Sequence, residues 1–247
     1  MILEEFVMLA SDTARTKAYL QAMICENKFP AKCIVYADDI SEMRNEAESY
    51  KESGKDYKYF DVNQPILFSL DKADIPYILV ENKDINSEQI ESILKGLKQR
   101  YLIYSGYGGY ILKPHLFQLN KKIIHVHAGI LPQYRGSTTA YYSFLQEGML
   151  GATAIFLNEE IDEGEIITQE LFEMPTETVN IDYIYEPYIR SRVLLKVVDQ
   201  YLKRGGMISS QKQGENGAET YFIIHPVLKH LALLKVENIG KRLLLQK

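Results

Sequence analysis

The stretch IIHVHAGILPQYRGSTTAYY, residues 123–142, predicts a strand, a tight loop and a helix in immediate succession. Its apolar run ends in His125 and His127, and alternation along a strand sends both side chains to the same face. Gly129 permits close backbone approach, and the Leu-Pro pair that follows stiffens the loop. The helix N-cap is expected among the hydroxyl residues before the next apolar pattern, Ser137, Thr138 and Thr139.

Strands and helices alternate on the N-terminal side of this stretch. Helical spacing runs from about Thr13 to Asn27 and again after Asn86, which is the expected N-cap of its helix. Short apolar runs predict strands at residues 5–10, 33–37, 76–80, 101–105 and 122–127. Together they predict an α/β fold with an open, mainly parallel, Rossmann-like sheet and helices on both faces. Such sheets bind ligands at the carboxyl ends of their strands, where His125 and His127 are expected.

The pattern on the C-terminal side is different. ATAIFLNEEIDEGEIITQELF predicts a β-hairpin around an acidic turn, and residues 180–206 predict a long amphipathic helix. After a polar loop, the last residues predict a strand and a short helix. Their apolar side chains are too many to stay exposed, so we expect them to pack on the body of the protein or on a partner subunit. The predicted division is a main domain over residues 1–205 and a small C-terminal β/α extension over residues 206–247.

Composition excludes several classes of function. The 247 residues carry a net charge of -5, so a broadly basic surface for nucleic acid is not expected. The N-terminus is acidic where a signal peptide is basic, and no apolar stretch reaches the length that spans a bilayer. We therefore predict a cytoplasmic protein without membrane contact. Cys25 and Cys33 match no zinc or redox spacing, and both are predicted to be reduced core residues.

The two histidines allow more than one chemistry. A histidine pair on one face could bind a metal with Asp162 as a third ligand, but no other His or Cys stands at motif spacing. The alternative is a hydrogen-bonded histidine at a strand end. Arg135 could hold a carboxylate or phosphate, or it could form a structural salt bridge.

Two further motifs do not match well-known ligand sites. NEEIDEGEI, residues 158–166, lacks the regular ligand positions of an EF-hand loop. SGYGGY, residues 105–110, does not fit a dinucleotide fingerprint, although its glycines let a flat ligand approach the backbone.

The sequence resembles the folate-dependent formyltransferases between about Tyr101 and Phe172. This family includes the methionyl-tRNA, glycinamide ribonucleotide and amino-sugar N-formyltransferases. It shares a motif of Asn-x-His, a short loop, and Leu-Pro-x-Tyr/Phe-Arg/Lys-Gly, followed later by Asp-x-Gly in a hairpin. Here the matching segments are HVHAGILPQYRGST and ATAIFLNEEIDEGEII, and YSGYGGYILKPHLF upstream is also similar. The residues after the first strand lack the family's Gly-x-Pro turn.

The resemblance implies transfer of a formyl group from 10-formyltetrahydrofolate to a primary amine, without a metal. His127 and Asp162 occupy the positions of the family's catalytic His and Asp, and His125 stands where the family has Asn. We expect His127 to act as base or oxyanion donor, Asp162 to fix its tautomer, and His125 to keep the oxyanion contact. The resemblance places the folate near Tyr110, Ile111, Leu112, Glu160 and Ile161. It places the amine near Gly129, Tyr134, Arg135 and Ser137.

The layout resembles the amino-sugar N-formyltransferases best among these relatives. The tRNA enzymes of the family usually carry a longer C-terminal RNA-binding domain, and an acidic chain is poorly suited to tRNA. We therefore predict an amino sugar acceptor, nucleotide-linked or of the nonulosonate type, for surface polysaccharide biosynthesis. The alternatives are a formyltetrahydrofolate hydrolase and a catalytically degenerate folate- or sugar-binding relative. A homodimer is possible in each case.

Overall fold

The computed structural model describes residues 1–52, 54–55, 57–175, 179–214 and 217–244, except for the side chains of 236–244. It contains two units, Met1–His125 and Val126–Lys247. The chain passes from the first unit to the second within one strand, Lys122–His127, which is β5 in the numbering below.

The first unit is built from alternating strands and helices. Its strands are β1 (Ile2–Ala10), β2 (Phe29–Ala37), β3 (Tyr77–Glu81), β4 (Tyr101–Ser105) and β5. They are parallel neighbours in the order β3-β2-β1-β4-β5. The helices are α1 (Ala14–Cys25), α2 (Ile40–Ser49), α3 (Ile66–Lys72), α4 (Glu88–Gly96) and α5 (Pro114–Phe117). The prediction of an α/β fold with an open, mainly parallel sheet is thus confirmed.

The central strand β1 shows that this unit has helices packed on both faces of its sheet. Phe6, Val7, Met8, Leu9 and Ala10 are all fully buried, so both faces of the strand are covered. β4 is buried along its whole length as well. Strands buried on both faces are typical of parallel sheets whose crossover helices lie on either side.

Side-chain caps begin three helices of this unit. Thr13 accepts from the backbone N–H of Thr16 at the start of α1, and Asp39 accepts from Glu42 at the start of α2. The cap of α4 is Ser87, so the prediction that Asn86 caps this helix is wrong. The amide of Asn86 instead donates to the carbonyl of Ile111 and accepts from the N–H of Lys113, like a backbone group.

The two cysteines differ in environment. Cys33 lies in β2 and is buried, as predicted, and burial raises the pKa of its thiol far above the ordinary value. Cys25, the last residue of α1, is exposed. The prediction of a core residue is therefore wrong for Cys25, because it lies two positions after the buried Met23 and so faces the opposite side of α1.

The second unit contains the predicted hairpin. After β6 (Arg135–Gly136) and α6 (Thr139–Glu147), the chain forms antiparallel β7 (Leu150–Phe156) and β8 (Ile166–Phe172). Next come a π-helical turn (Ile181–Tyr185), α7 (Glu186–Lys203), β9 (Thr220–Tyr221) and α8 (Pro226–Leu244). The single helix predicted over 180–206 therefore begins as a π-helical turn. β9 pairs in parallel with β6.

The C-terminal segment is only partly buried within its unit. Ile224 and Ala232 are 5% and 0% exposed, whereas Phe222 and Ile223 are each 80% exposed. Packing of this segment within the second unit is therefore partial: beyond β9, the N–H of Ile224 donates to the hydroxyl of Thr138 at 2.8 Å, and Lys229 pairs with Asp182 at 2.5 Å. No helix in the described part of the chain is long and apolar enough to cross a membrane.

Candidate functional site

His127 ends strand β5 and is held at both ring nitrogens. Its side chain is nearly buried, at 5% exposure of the residue. Nε2 lies 2.6 Å from the carbonyl oxygen of Tyr134, and a carbonyl can only accept, so this nitrogen carries hydrogen. Nδ1 lies 3.3 Å from Oδ1 of Asp162. Because Nε2 and Nδ1 both lie against oxygen atoms of the protein, the orientation of the ring is fixed.

Asp162 is placed by the turn between β7 and β8. It is 8% exposed, and its backbone is left-handed with φ 56°, a conformation that is costly for a residue with a side chain. Its second carboxylate oxygen, Oδ2, accepts a hydrogen bond of 2.8 Å from the N–H of Gly136. The tight turn also needs Gly164, since a Cβ there would lie 1.8 Å from the carbonyl oxygen of Phe156.

The loop after His127 is locked by a threonine from β7. The hydroxyl of Thr153 donates to the carbonyl of Gly129 at 2.6 Å and accepts from the N–H of Leu131 at 3.2 Å. Thr153 is fully buried. Gly129 is required by close packing, because a Cβ there would lie 2.9 Å from the carbonyl oxygen of Tyr134 and 3.0 Å from Nε2 of His127. Glycine is therefore needed at position 129 for the loop to pack against His127 and Tyr134.

Thr139, the first residue of α6, also touches His127. Its hydroxyl lies 2.5 Å from the carbonyl oxygen of Ala128 and 3.3 Å from Nε2 of the histidine. It donates to the carbonyl and is free to accept from the ring N–H. Sequence reasoning treated Thr139 only as a candidate N-cap and did not consider Thr153. For Thr153, the available signal was a hydroxyl residue within an apolar strand pattern, whereas Thr139 in RGSTTA carried no such signal.

Tyr134 has a packing role in this structure. Tyr134 is 3% exposed, and its hydroxyl lies 2.7 Å from Glu147, to which it donates, and 2.9 Å from the side-chain oxygen of Gln146. Burial, with the hydrogen bond to Glu147, raises the pKa of Tyr134 above its ordinary value, so the phenol stays neutral. The ring stacks on Tyr221 with centroids 5.5 Å apart. The carbonyl of Tyr134, not its ring, contacts His127.

Arg135 and Ser137 flank Gly136 in the same loop. One guanidinium nitrogen of Arg135 lies 2.8 Å from Glu163, and another donates to the side-chain oxygen of Gln213 at 3.0 Å. Of the alternatives for Arg135, the structural salt bridge is thus present. Ser137 is exposed, and its N–H donates to the carbonyl of Tyr221 at 2.9 Å.

The residues predicted to bind folate are mostly exposed. In the first unit, Tyr110 and Ile111 are 39% and 63% exposed, and Leu112 is buried. Asn86 holds the backbone on either side of Leu112, so this segment has a fixed edge. In the second unit, Glu160 is exposed and Ile161 is 59% exposed.

The carboxyl edge of the first unit contains a polar group that sequence reasoning missed. Thr16 and Ser11 donate to the carbonyl of Ser105, and the guanidinium of Arg15 donates to the Ser105 hydroxyl and to the carbonyl of Gly106. These contacts join the start of α1 to the end of β4. They lie where the resembling family has a Gly-x-Pro turn after its first strand. His125, on β5, is half-buried, with its ring centroid 6.0 Å from that of Tyr104.

The family model described as "Formyl transferase" matches residues 10–183. This range is more than half of the chain and includes His125, His127 and Asp162. The chain belongs to the formyl transferase family.

Curated relatives from this family carry two kinds of name. The methionyl-tRNA formyltransferase of Finegoldia magna is 29% identical over 150 residues, which cover 60% of this chain and 47% of the relative. The formyltetrahydrofolate deformylase of Escherichia coli is 26% identical over 157 residues, covering 56% of this chain and 53% of the relative. The chain thus spans about half the length of the curated relatives it matches.

A solved structure supports the fold. The N-formyltransferase from Helicobacter canadensis, solved with folinic acid and dTDP-3-aminofucose, aligns with a TM-score of 0.56. The identity is 16%, and the alignment covers 89% of this chain and 71% of that one. At this identity the likeness is one of fold.

Proposed function

We propose that this protein transfers a formyl group from 10-formyltetrahydrofolate to a primary amine of an amino sugar. The contact between Nδ1 of His127 and Oδ1 of Asp162, at 3.3 Å, carries the proposal. It brings a histidine ring and a carboxylate, both in buried residues, within 3.3 Å of each other, which supports a proton-transfer pair.

The chemistry follows from this pair. The neutral amine attacks the formyl carbon, and the carbonyl oxygen takes up negative charge. The His127–Asp162 pair accepts the proton that the amine loses. Cleavage of the bond between carbon and N10 then gives a formamide and tetrahydrofolate, with the proton delivered to N10. His125, two positions earlier on the same strand, is proposed to donate a hydrogen bond to the oxyanion in place of the family's Asn.

The folate segments are proposed from exposure and fixed backbone. Tyr110, Ile111 and Leu112 present backbone edges held by Asn86, and Glu160 and Ile161 lie in the turn before Asp162. For the acceptor we propose the loop from Gly129 to Ser137. Within it, Tyr134 supplies packing, and Arg135 reaches an acceptor phosphate only by leaving Glu163.

An amino sugar is favoured over tRNA by charge and by the structural relative. The net charge of -5 disfavours a polyanion such as tRNA. The aligned Helicobacter canadensis enzyme was solved with a dTDP-linked amino sugar. Because a sequence relative is a methionyl-tRNA formyltransferase, methionyl-tRNA is a second candidate acceptor. Because another relative is an Escherichia coli formyltetrahydrofolate deformylase, hydrolysis of the folate is a third candidate reaction.

One experiment separates these functions. The protein is incubated with 10-formyltetrahydrofolate alone, with dTDP-linked amino sugars, and with methionyl-tRNA, and formate and formylated products are measured. The proposal predicts a formylated sugar and little free formate. Formate release without an acceptor identifies a hydrolase, and folate binding without turnover identifies a degenerate relative. Formylation of the tRNA alone replaces the amino sugar proposal.

We also propose a cytoplasmic enzyme with a catalytic domain over 1–205 and an extension over 206–247. We further propose that no metal takes part, although the ligand atoms of His125, His127 and Asp162 lie within 4.8 Å of one another and the metal alternative therefore needs a direct test. Dialysis against EDTA should leave turnover unchanged. A loss of turnover that Zn²⁺ restores would contradict the metal-free mechanism.

A further inference from the structure

The turn that presents Asp162 is held by a glutamine from far along the chain. Nε2 of Gln213 donates to the carbonyl of Asp162 at 2.7 Å and to the carbonyl of Gly164 at 2.8 Å. Its Oε1 accepts from Arg135 at 3.0 Å. Both N–H donors of the Gln213 amide are therefore used on the turn, and its oxygen accepts from Arg135, the residue that pairs with Glu163.

This clamp acts where the backbone is strained. Asp162 has a left-handed backbone, and such residues stay in place only when their surroundings fix them. Gln213 binds the carbonyls on both sides of Glu163, and Arg135 binds the Glu163 carboxylate at 2.8 Å. The position of the Asp162 carboxylate against His127 therefore depends on contacts outside the hairpin itself.

We infer that Gln213 is a positioning residue for the catalytic Asp162, supplied by the segment that follows the family-matched region. The family model ends at residue 183, so the clamp belongs to this chain's C-terminal part. The inference rests on the proposed function for the catalytic role of Asp162. The positional claim, that Gln213 sets the contact between Asp162 and His127, is independent of the substrate.

The segment is anchored apart from the side chain of Gln213. Gln211 exchanges two backbone hydrogen bonds with Ile166 of β8, at 2.8 and 2.9 Å. The hydroxyl of Ser210 donates to Glu165 at 2.6 Å. A change at the Gln213 side chain should therefore leave the segment in place and alter only the turn.

Gln213→Glu is the sharpest variant. It keeps the size and the oxygen that faces Arg135, but it replaces the two donors with an oxygen that repels the carbonyls of Asp162 and Gly164. Gln213→Met removes the donors without adding charge. The matched control is Gln211→Glu, the same chemical change at an exposed residue whose backbone, and not its side chain, makes the bridge to Ile166.

Two readouts separate positioning from mere stability. The first is the ¹⁵N–¹H spectrum of the His127 ring at constant pH, which reports its contact with Asp162 and requires no substrate. The second is formyl transfer, measured as kcat and KM for 10-formyltetrahydrofolate. We expect both Gln213 variants to shift the His127 ring signals. We also expect them to lower kcat by about 10–100-fold, the scale of a small misplacement of a reacting group, with KM changed less than about twofold. Gln211→Glu should match the wild type in both.

The inference is overturned if the His127 ring signals of both Gln213 variants coincide with those of Gln211→Glu. It is also overturned if the signals shift but kcat stays at the wild-type value. If the wild type forms no formylated product, the proposed function fails while the ring spectrum still decides whether Gln213 sets the contact between Asp162 and His127.

Discussion

Replacing Thr153 with valine tests how the loop after His127 is held. Valine has nearly the same shape as threonine, so it leaves no cavity, but it removes the hydroxyl that donates to Gly129 and accepts from Leu131. Both backbone groups then lose a partner at a fully buried position. An unsatisfied buried group costs about 1–3 kcal/mol, so we expect the free energy of unfolding to fall by about 2–4 kcal/mol. The protein should remain folded, because domains are typically stable by about 5–15 kcal/mol.

Urea unfolding followed by circular dichroism measures this change, with the slope of the transition as a check that the variant is compact. The control is Thr220→Val, the same replacement at an exposed strand position, which should change stability by less than about 0.5 kcal/mol. Equal stability of Thr153→Val and Thr220→Val would refute the claim that the hydroxyl of Thr153 locks the loop.

Three further outcomes follow from the site. His125→Asn should keep most of the wild-type kcat, whereas His125→Ala should lose about 10²–10³-fold, the usual cost of one oxyanion donor. Near-wild-type turnover of both would exclude the donor role. Asp162→Asn should lower kcat by about 10²–10⁴-fold in the same assay, because the neutral amide cannot help hold the proton; an unchanged kcat would count against the pair. Gly136→Ala should lower the free energy of unfolding by about 1–3 kcal/mol, because φ is 95° and a Cβ would lie 2.2 Å from the carbonyl oxygen of Tyr221. Gly214→Ala, with open space around it, should be neutral in urea unfolding, and equal effects would contradict this reasoning.

Periodicity was sufficient for the order of strands and helices, because each buried strand and each amphipathic helix leaves its own local pattern. The hairpin around Asp162 was predictable for the same reason, and the resemblance to the formyltransferase motif paired His127 with Asp162. Even the local rules left ambiguity at element ends. Asn86 and Ser87 are both good caps, and only the tertiary contact of Asn86 with Ile111 and Lys113 decides between them.

The groups that hold the site in place could not be read from the sequence. Thr153 and Gln213 act through backbone carbonyls and N–H groups, and such contacts require no particular partner residue. Gln213 also lies in a polar loop without periodicity, at a separation of 51 residues from Asp162. For Tyr134, the sequence motif suggested contact with the substrate. In the structure its side chain is buried and stacks on Tyr221, which gives it a packing role.

The central claim is that the His127–Asp162 pair carries formyl transfer to an amine. The most direct measurement is a mass-spectrometric assay of a dTDP-linked amino sugar incubated with 10-formyltetrahydrofolate and either the wild type or His127→Asn, with folding of the variant checked by circular dichroism. We predict a formylated sugar from the wild type and a loss of at least about 10²-fold in the variant. Formate without a formylated sugar, or equal product from both proteins, would contradict it.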